Sequence, residues 1–99
     1  MGILTVTVAR ESKRIEFMLK RYAQLKAELP KGTISPKKIG NQTYYYLKYR
    51  DGDRIVSDYI HKDDLEELTD KIEHRKHIDL MIRSLKDELS TARKLLRGR

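Results

Sequence analysis

The stretch from Asp63 to about Leu96 contains neither proline nor glycine, and its apolar residues recur at helical spacing. Its first turns are acidic and its last turn is basic, which complements the dipole of a helix at both ends. Gly98 provides a natural stop. At about 1.5 Å per residue, this helix is roughly 50 Å long. Any fold of the 99-residue chain must therefore be built around one long helix.

The apolar residues of this predicted helix form two sets, separated by the charged run EHRKH at residues 73 to 77. The second set alternates spacings of four and three, which is typical of a coiled-coil-like seam. A preceding helix of roughly 27 Å is too short to cover the whole seam. We therefore expect a second copy of the chain to cover it, giving a homodimer, unless the last turns fray. The predicted dimer or partner seam comprises Ile78, Ile82, Leu85, Leu89 and Leu96.

The first third of the chain predicts a shorter helix from Ser12 to Leu29. Ser12 is the predicted N-cap, and Pro30 ends the helix because the residue before a proline avoids the α region. Ile3 to Val8 is rich in β-branched residues and predicts a strand or a frayed lead-in. The predicted apolar stripe of the helix comprises Ile15, Met18, Leu19, Tyr22, Leu25 and Leu29.

The middle of the chain, Lys31 to His61, predicts a three-stranded antiparallel sheet. The strands cover about residues 33–39, 42–50 and 54–60, with turns at Gly40-Asn41 and Asp51-Gly52. The predicted fold class is α+β in a single domain. Residues 1–29 supply the first helix with its lead-in, 30–62 a β-meander and 63–99 the long helix.

Alternation along the middle strand divides its four tyrosines between two faces. A three-residue loop at Asp51-Gly52-Asp53 places Tyr45 opposite Tyr59 on an apolar face that helices can cover. A two-residue loop would shift the register by one residue and mix the faces, so we predict the three-residue loop, which keeps the apolar set together. With the three-residue loop, Tyr44 and Tyr46 lie on the other face, where Val56 and Ile60 are also predicted.

The chain carries 22 lysines and arginines against 15 acids, a net charge of +7, which favours a polyanionic partner. Tyrosine rings can stack on bases, and neighbouring cations can meet phosphates. The alternative is that the rings serve packing alone. The predicted nucleic-acid contacts are Lys37, Lys38, Tyr44, Tyr46, Lys48, Arg50 and Arg54.

Several functional classes find no support in the sequence. Cysteine is absent, which excludes disulfides and cysteine-ligated metals. No catalytic triad, phosphate-binding loop or metalloprotease motif is present, so the sequence predicts neither an enzyme nor a cofactor. His61, His74 and His77 lack a further defined ligand and predict no metal site. We expect a cytoplasmic protein without a membrane partner, since no apolar run is long enough to cross a bilayer.

The segment GTISPKKIGNQTYYYLKYRDGDRIVSDYI and the helix after it resemble the arm-type DNA-binding domain of tyrosine-recombinase integrases, over about residues 32–72. The resemblance implies that the sheet binds DNA in the major groove. Two features depart from that family: Asp58 lies on the third strand, and a long carboxyl-terminal helix follows. The segment is also similar to small uncharacterised phage and bacterial proteins with a tyrosine-rich hairpin and a charged helix.

Two functional hypotheses follow. The first is a non-enzymatic nucleic-acid-binding module of phage or mobile-element type, with DNA as the favoured ligand. The second is a small phage inhibitor of the anti-CRISPR type, which binds a nucleic-acid-guided effector protein, with the helical seam as its dimer or docking surface.

Overall fold

The computed structural model describes residues 2–97 and confirms the α+β arrangement. The three strands form one antiparallel sheet in the order β1-β2-β3. Contacts group the chain into two compact units, one with residues up to Glu28 and from His77 onward, the other with Leu29–Lys76. The elements are α1 (Ile3–Ala27), β1 (Thr33–Ile39), β2 (Gln42–Asp51), β3 (Arg54–Ile60) and α2 (Lys62–Arg97).

The amino-terminal segment is helical, so the predicted strand from Ile3 to Val8 is wrong. Helix α1 has 25 residues and begins after Gly2, and Ser12 lies inside it, not at its N-cap. The hydroxyl of Ser12 donates to the carbonyl oxygen of Val8 at 3.0 Å, and that of Thr7 to Ile3 at 3.0 Å. These bonds to the preceding turn satisfy both hydroxyls within a helix. The β-branched composition therefore did not determine the local structure.

In the first unit, α1 packs against the later part of α2. Ile15 forms a buried cluster with Leu85 and Leu89, and the half-buried Met18, Leu19 and Tyr22 pack around it. Lys26 Nζ lies 2.5 Å from Asp79 Oδ1. This unit therefore has an apolar core built within one chain.

This core corrects the predicted dimer seam. Ile78, Leu85 and Leu89 are buried in the single chain, so they offer no surface to a second copy. Ile82 is half-buried and Leu96 is exposed. The prediction failed because α1 begins at Ile3, nine residues before the start predicted at Ser12. Because these residues are buried within one chain, the seam provides no reason to expect a homodimer.

In the second unit, one face of the sheet is covered by the first part of α2. Ile60 on β3 and Ile72 on α2 are buried, and Tyr45 lines a narrow cleft together with Leu65 and Ile72. Arg75 Nη1 donates to the carbonyl oxygen of Leu29 at 2.6 Å, which ties α2 to the start of this unit. Within Leu29–Lys76, no helix covers the opposite face of the sheet.

The second hairpin has a two-residue loop, Gly52-Asp53, so the predicted three-residue register is wrong. Tyr45 pairs with Ile60, and Tyr46 pairs with Tyr59. This one-residue shift moves every β3 side chain to the other face. It brings the apolar side chains of Val56 and Ile60 to the face that α2 covers, which explains why this register is preferred.

Gly32 lies close to the backbone of the central strand. Its φ is 125°, and a Cβ at this position would lie 2.6 Å from the carbonyl oxygen of Lys48. We expect Gly32→Ala to lower the free energy of unfolding by about 2 kcal/mol, because backbone strain and a clash with the central strand add together. Urea denaturation followed by circular dichroism measures this loss.

Gly52 is the matched control for this substitution. Its φ is also positive, at 65°, but a Cβ there meets nothing within 4 Å. Gly52→Ala should therefore cost only about 1 kcal/mol, the penalty of the left-handed conformation alone. Equal losses in the two variants would show that the contact with Lys48 is unimportant.

Candidate nucleic-acid interface

The strand pairing assigns each residue of the sheet to one of two faces. The inner face packs against α2 and includes Tyr45 and Ile60. The outer face, on the opposite side of the sheet, carries Tyr44, Tyr46 and Tyr59. Exposure confirms the division, since Ile60 is 5% exposed and its neighbour Tyr59 is 49% exposed. The outer face comprises Thr33, Ser35, Lys37, Ile39, Gln42, Tyr44, Tyr46, Lys48, Arg50, Ile55, Ser57 and Tyr59.

Three tyrosine rings gather on this outer face. The ring centroid of Tyr59 lies 5.8 Å from that of Tyr46 and 6.3 Å from that of Tyr44. His61 approaches Tyr59 edge to face at 5.3 Å. These separations fall in the favourable range for tilted aromatic pairs. The rings thus form one aromatic cluster, in which Tyr44 and Tyr46 are half-buried.

Three cations share the outer face with these rings. Lys37 on β1 pairs with Tyr44, and Lys48 and Arg50 follow Tyr46 along β2. None of the three cations forms a salt bridge within residues 2–97. An exposed cation without an internal partner remains available to an external anion.

Both carboxylates of the strands lie on the inner face. Asp58 pairs with Leu47, and its Oδ2 accepts a 3.0 Å hydrogen bond from the hydroxyl of Tyr49. This hydrogen bond raises the pKa of Tyr49 above its ordinary value, because the phenol must keep its proton to donate. Asp51 also lies on the inner face. The outer face of the strands is therefore exclusively cationic in its charged groups.

A shallow pocket on the outer face combines cations with hydroxyl groups. Lys37 and Lys48 line it together with Ser35 and Ser57, beside the ring of Tyr46. Lysines and serines are common ligands of phosphate oxygens in nucleic-acid complexes. The pocket thus places phosphate-binding groups next to an aromatic ring.

Five of the seven predicted contacts share the outer face: Lys37, Tyr44, Tyr46, Lys48 and Arg50. The other two do not join them, since Lys38 pairs with Thr43 and Arg54 with Asp51, which places both on the inner face. The parity of Lys38 along β1 and the one-residue register shift of β3 account for this difference.

The prediction missed Tyr59, which it assigned to the apolar core, and His61 as its neighbour. The loop sequence contained the signal that could have found them. Gly followed by Asp is a favoured two-residue hairpin loop, and the first hairpin uses the similar pair Gly40-Asn41. Applying the same loop length to Gly52-Asp53 places Tyr59 beside Tyr46.

The described part of the chain shows no other grouping that indicates chemistry. Between residues 2 and 97, no cluster of three or more histidine, aspartate or glutamate side chains is arranged to hold a metal ion. Neither α1 nor α2, as described, is long and apolar enough to cross a bilayer.

The fold and this surface define a small α+β protein with an exposed sheet face of tyrosines and cations. The chain belongs to the family described as Domain of unknown function (DUF6788), which matches residues 8–70 and so more than half of its length. The matched segment includes all three strands. No similar curated protein and no similar solved structure was found. The family description assigns no activity, so the resemblance to integrase arm-type domains stays a prediction.

Proposed function

We propose that the protein is a non-enzymatic nucleic-acid-binding module that binds DNA through the outer face of its sheet. One observation carries the proposal: three tyrosines and three cations share an exposed face from which both strand carboxylates are excluded. A face of this kind attracts a polyanion and offers rings to its bases.

The separation of charge supports this proposal more strongly than the total charge does. A net charge of +7 spread evenly over a surface would serve solubility alone. In this sheet, however, Asp51 and Asp58 lie on the inner face, and Tyr49 holds Asp58 there by a hydrogen bond. Phosphates that approach the outer face therefore meet Lys37, Lys48 and Arg50 without a competing carboxylate on the strands.

Salt dependence tests the proposal directly. We expect a labelled DNA oligonucleotide to bind in fluorescence anisotropy titrations, with an affinity that falls steeply between about 50 and 200 mM salt. Three phosphate contacts predict a slope of about −2 to −3 in a plot of log affinity against log salt. Cations elsewhere on the chain would make the slope steeper.

Two outcomes would contradict the proposal. The first is the absence of measurable binding to single-stranded or duplex DNA at about 50 mM salt. The second is binding that is insensitive to salt, because contacts with phosphates release counterions by necessity. A protein that retains its helical circular dichroism spectrum under the same conditions provides the control for folding.

A further inference from the structure

The three tyrosine rings of the outer face pack on one another in tilted and edge-to-face arrangements. Tyr59 and Ile60 are neighbours on β3, yet Ile60 is buried and Tyr59 is about half exposed. None of the hydroxyls of Tyr44, Tyr46 and Tyr59 has a hydrogen-bond partner among residues 2–97. By contrast, the hydroxyl of Tyr49 on the inner face bonds to Asp58. The hydroxyls of the outer rings are therefore available to a ligand, and about half of the surface of Tyr59 is exposed beside them.

The chemistry of a tyrosine ring favours the flat face of a base over its edge. In duplex DNA the faces of the bases are stacked on each other, and proteins reach only their edges in the grooves. Arginine, lysine, asparagine and glutamine make most edge contacts, whereas aromatic rings stack on unpaired bases. Three clustered tyrosines thus suit unpaired bases better than a duplex groove.

The cations continue the line of rings along β2 and flank it on β1. Outer-face residues on one strand are about 6.5 to 7 Å apart, because side chains alternate and the rise is about 3.3 Å per residue. Along β2, Tyr44 and Tyr46 are followed by Lys48 and Arg50, and Lys37 lies beside Tyr44. A nucleic-acid strand aligned with β2 would therefore find rings and cations in succession.

We propose that Tyr44, Tyr46 and Tyr59 form a stacking platform for the unpaired bases of single-stranded nucleic acid. The protein then prefers a single strand to a duplex of the same length. This inference rests on the proposed function, and it deepens that function by specifying the class of ligand.

Four labelled probes of equal length test the platform. Oligothymidylate has unpaired bases, its duplex with oligodeoxyadenylate has none, and an abasic strand keeps the phosphates but lacks bases. Oligouridylate distinguishes RNA from DNA. We expect oligothymidylate to bind more tightly than the duplex and the abasic strand, by about 5- to 100-fold for each stacked base. Similar binding of oligouridylate would extend the platform to RNA, and weaker binding would restrict it to DNA.

Paired substitutions separate the ring from the hydroxyl. Tyr59→Phe keeps the ring and should retain the preference for bases, whereas Tyr59→Leu keeps an apolar side chain without a ring and should lose it. The Leu variant is expected to bind the abasic strand as well as the wild type does, because phosphate contacts are unchanged. Corresponding variants at Tyr44 and Tyr46 provide independent tests if the Leu variant at Tyr59 unfolds.

The outcomes distinguish the platform from the broader proposal. If the wild type binds the duplex or the abasic strand as tightly as oligothymidylate, the platform is wrong but nucleic-acid binding stands. If none of the four probes binds, the proposed function itself is wrong. Equal affinities of the Phe and Leu variants for oligothymidylate would also overturn the platform.

Discussion

Replacement of Lys37, Lys48 and Arg50 together by glutamine is expected to weaken DNA binding by about 100- to 1000-fold at about 50 mM salt. Each cation can form a charge-assisted hydrogen bond with a phosphate, and all three lie on the exposed outer face. The slope of log affinity against log salt should become shallower by about one for each cation removed. Anisotropy titrations across a salt series measure both effects.

The sheet provides a matched control for this experiment on its other face. Lys37→Gln with Arg50→Gln removes one lysine and one arginine from the outer face. Lys38→Gln with Arg54→Gln makes the same chemical changes on the inner face, at the next residue of β1 and across the same hairpin. Both double variants have the same net charge, so a purely long-range attraction would weaken equally in the two.

We expect the outer-face double variant to bind DNA far more weakly than the inner-face double variant. Equal losses of affinity would mean that DNA binding depends on the total charge of the protein and not on the outer face. A larger loss of affinity in the inner-face double variant would show that DNA binds to the inner face of the sheet. Thermal melts of each variant control for folding, and substitutions at exposed positions such as these usually change stability by less than about 0.5 kcal/mol.

The strands were predictable because their limits are set by local signals. Each hairpin loop contains a glycine, and Gly40 and Gly52 adopt the positive φ values that such loops require. The predicted strands accordingly agree with β1, β2 and β3 to within one residue. The long helix was similarly predictable, because its apolar periodicity and its charged ends extend over many residues.

The pairing of the strands was harder to predict, because one residue of loop length decides it. Both loop lengths leave Tyr45 and Tyr49 on the same face of β2, so the pattern of β2 alone cannot choose between them. The choice depends on whether Ile60 or Tyr59 of β3 is covered by α2, which is a tertiary contact. The residues of β2 that share the outer face were therefore predicted correctly, whereas on β3 the prediction placed Arg54 on that face and missed Tyr59.

The amino-terminal segment shows a second limit of local reasoning. Its β-branched residues favour a strand, yet Thr7 and Ser12 bond to the preceding turn and α1 continues through them. Because this segment is helical, α1 begins before Ser12, and Val8 lines a groove together with Ile15 and Ala92. Such a gain in packing is invisible to a short sequence window.

The second large effect is expected from a substitution in the core of the helical unit. Leu85 is 7% exposed and packs with Ile15 and Leu89, so Leu85→Ala leaves a cavity that the helices can only partly close. We expect the free energy of unfolding to fall by about 2 to 5 kcal/mol. That is a large fraction of the stability of a small domain, about 5 to 15 kcal/mol. Urea denaturation followed by far-ultraviolet circular dichroism measures the loss.

Leu95→Ala is the matched control, because it makes the same chemical change on the same helix at a residue that is 66% exposed. Its effect should stay within about 0.5 kcal/mol.

Repeating the wild-type denaturation at several protein concentrations then distinguishes a core from a dimer seam. A core within one chain gives a midpoint independent of concentration, whereas a seam between two copies gives a midpoint that rises with concentration. Because α1 already occupies the position opposite Leu85 and Leu89, we expect the midpoint to remain constant.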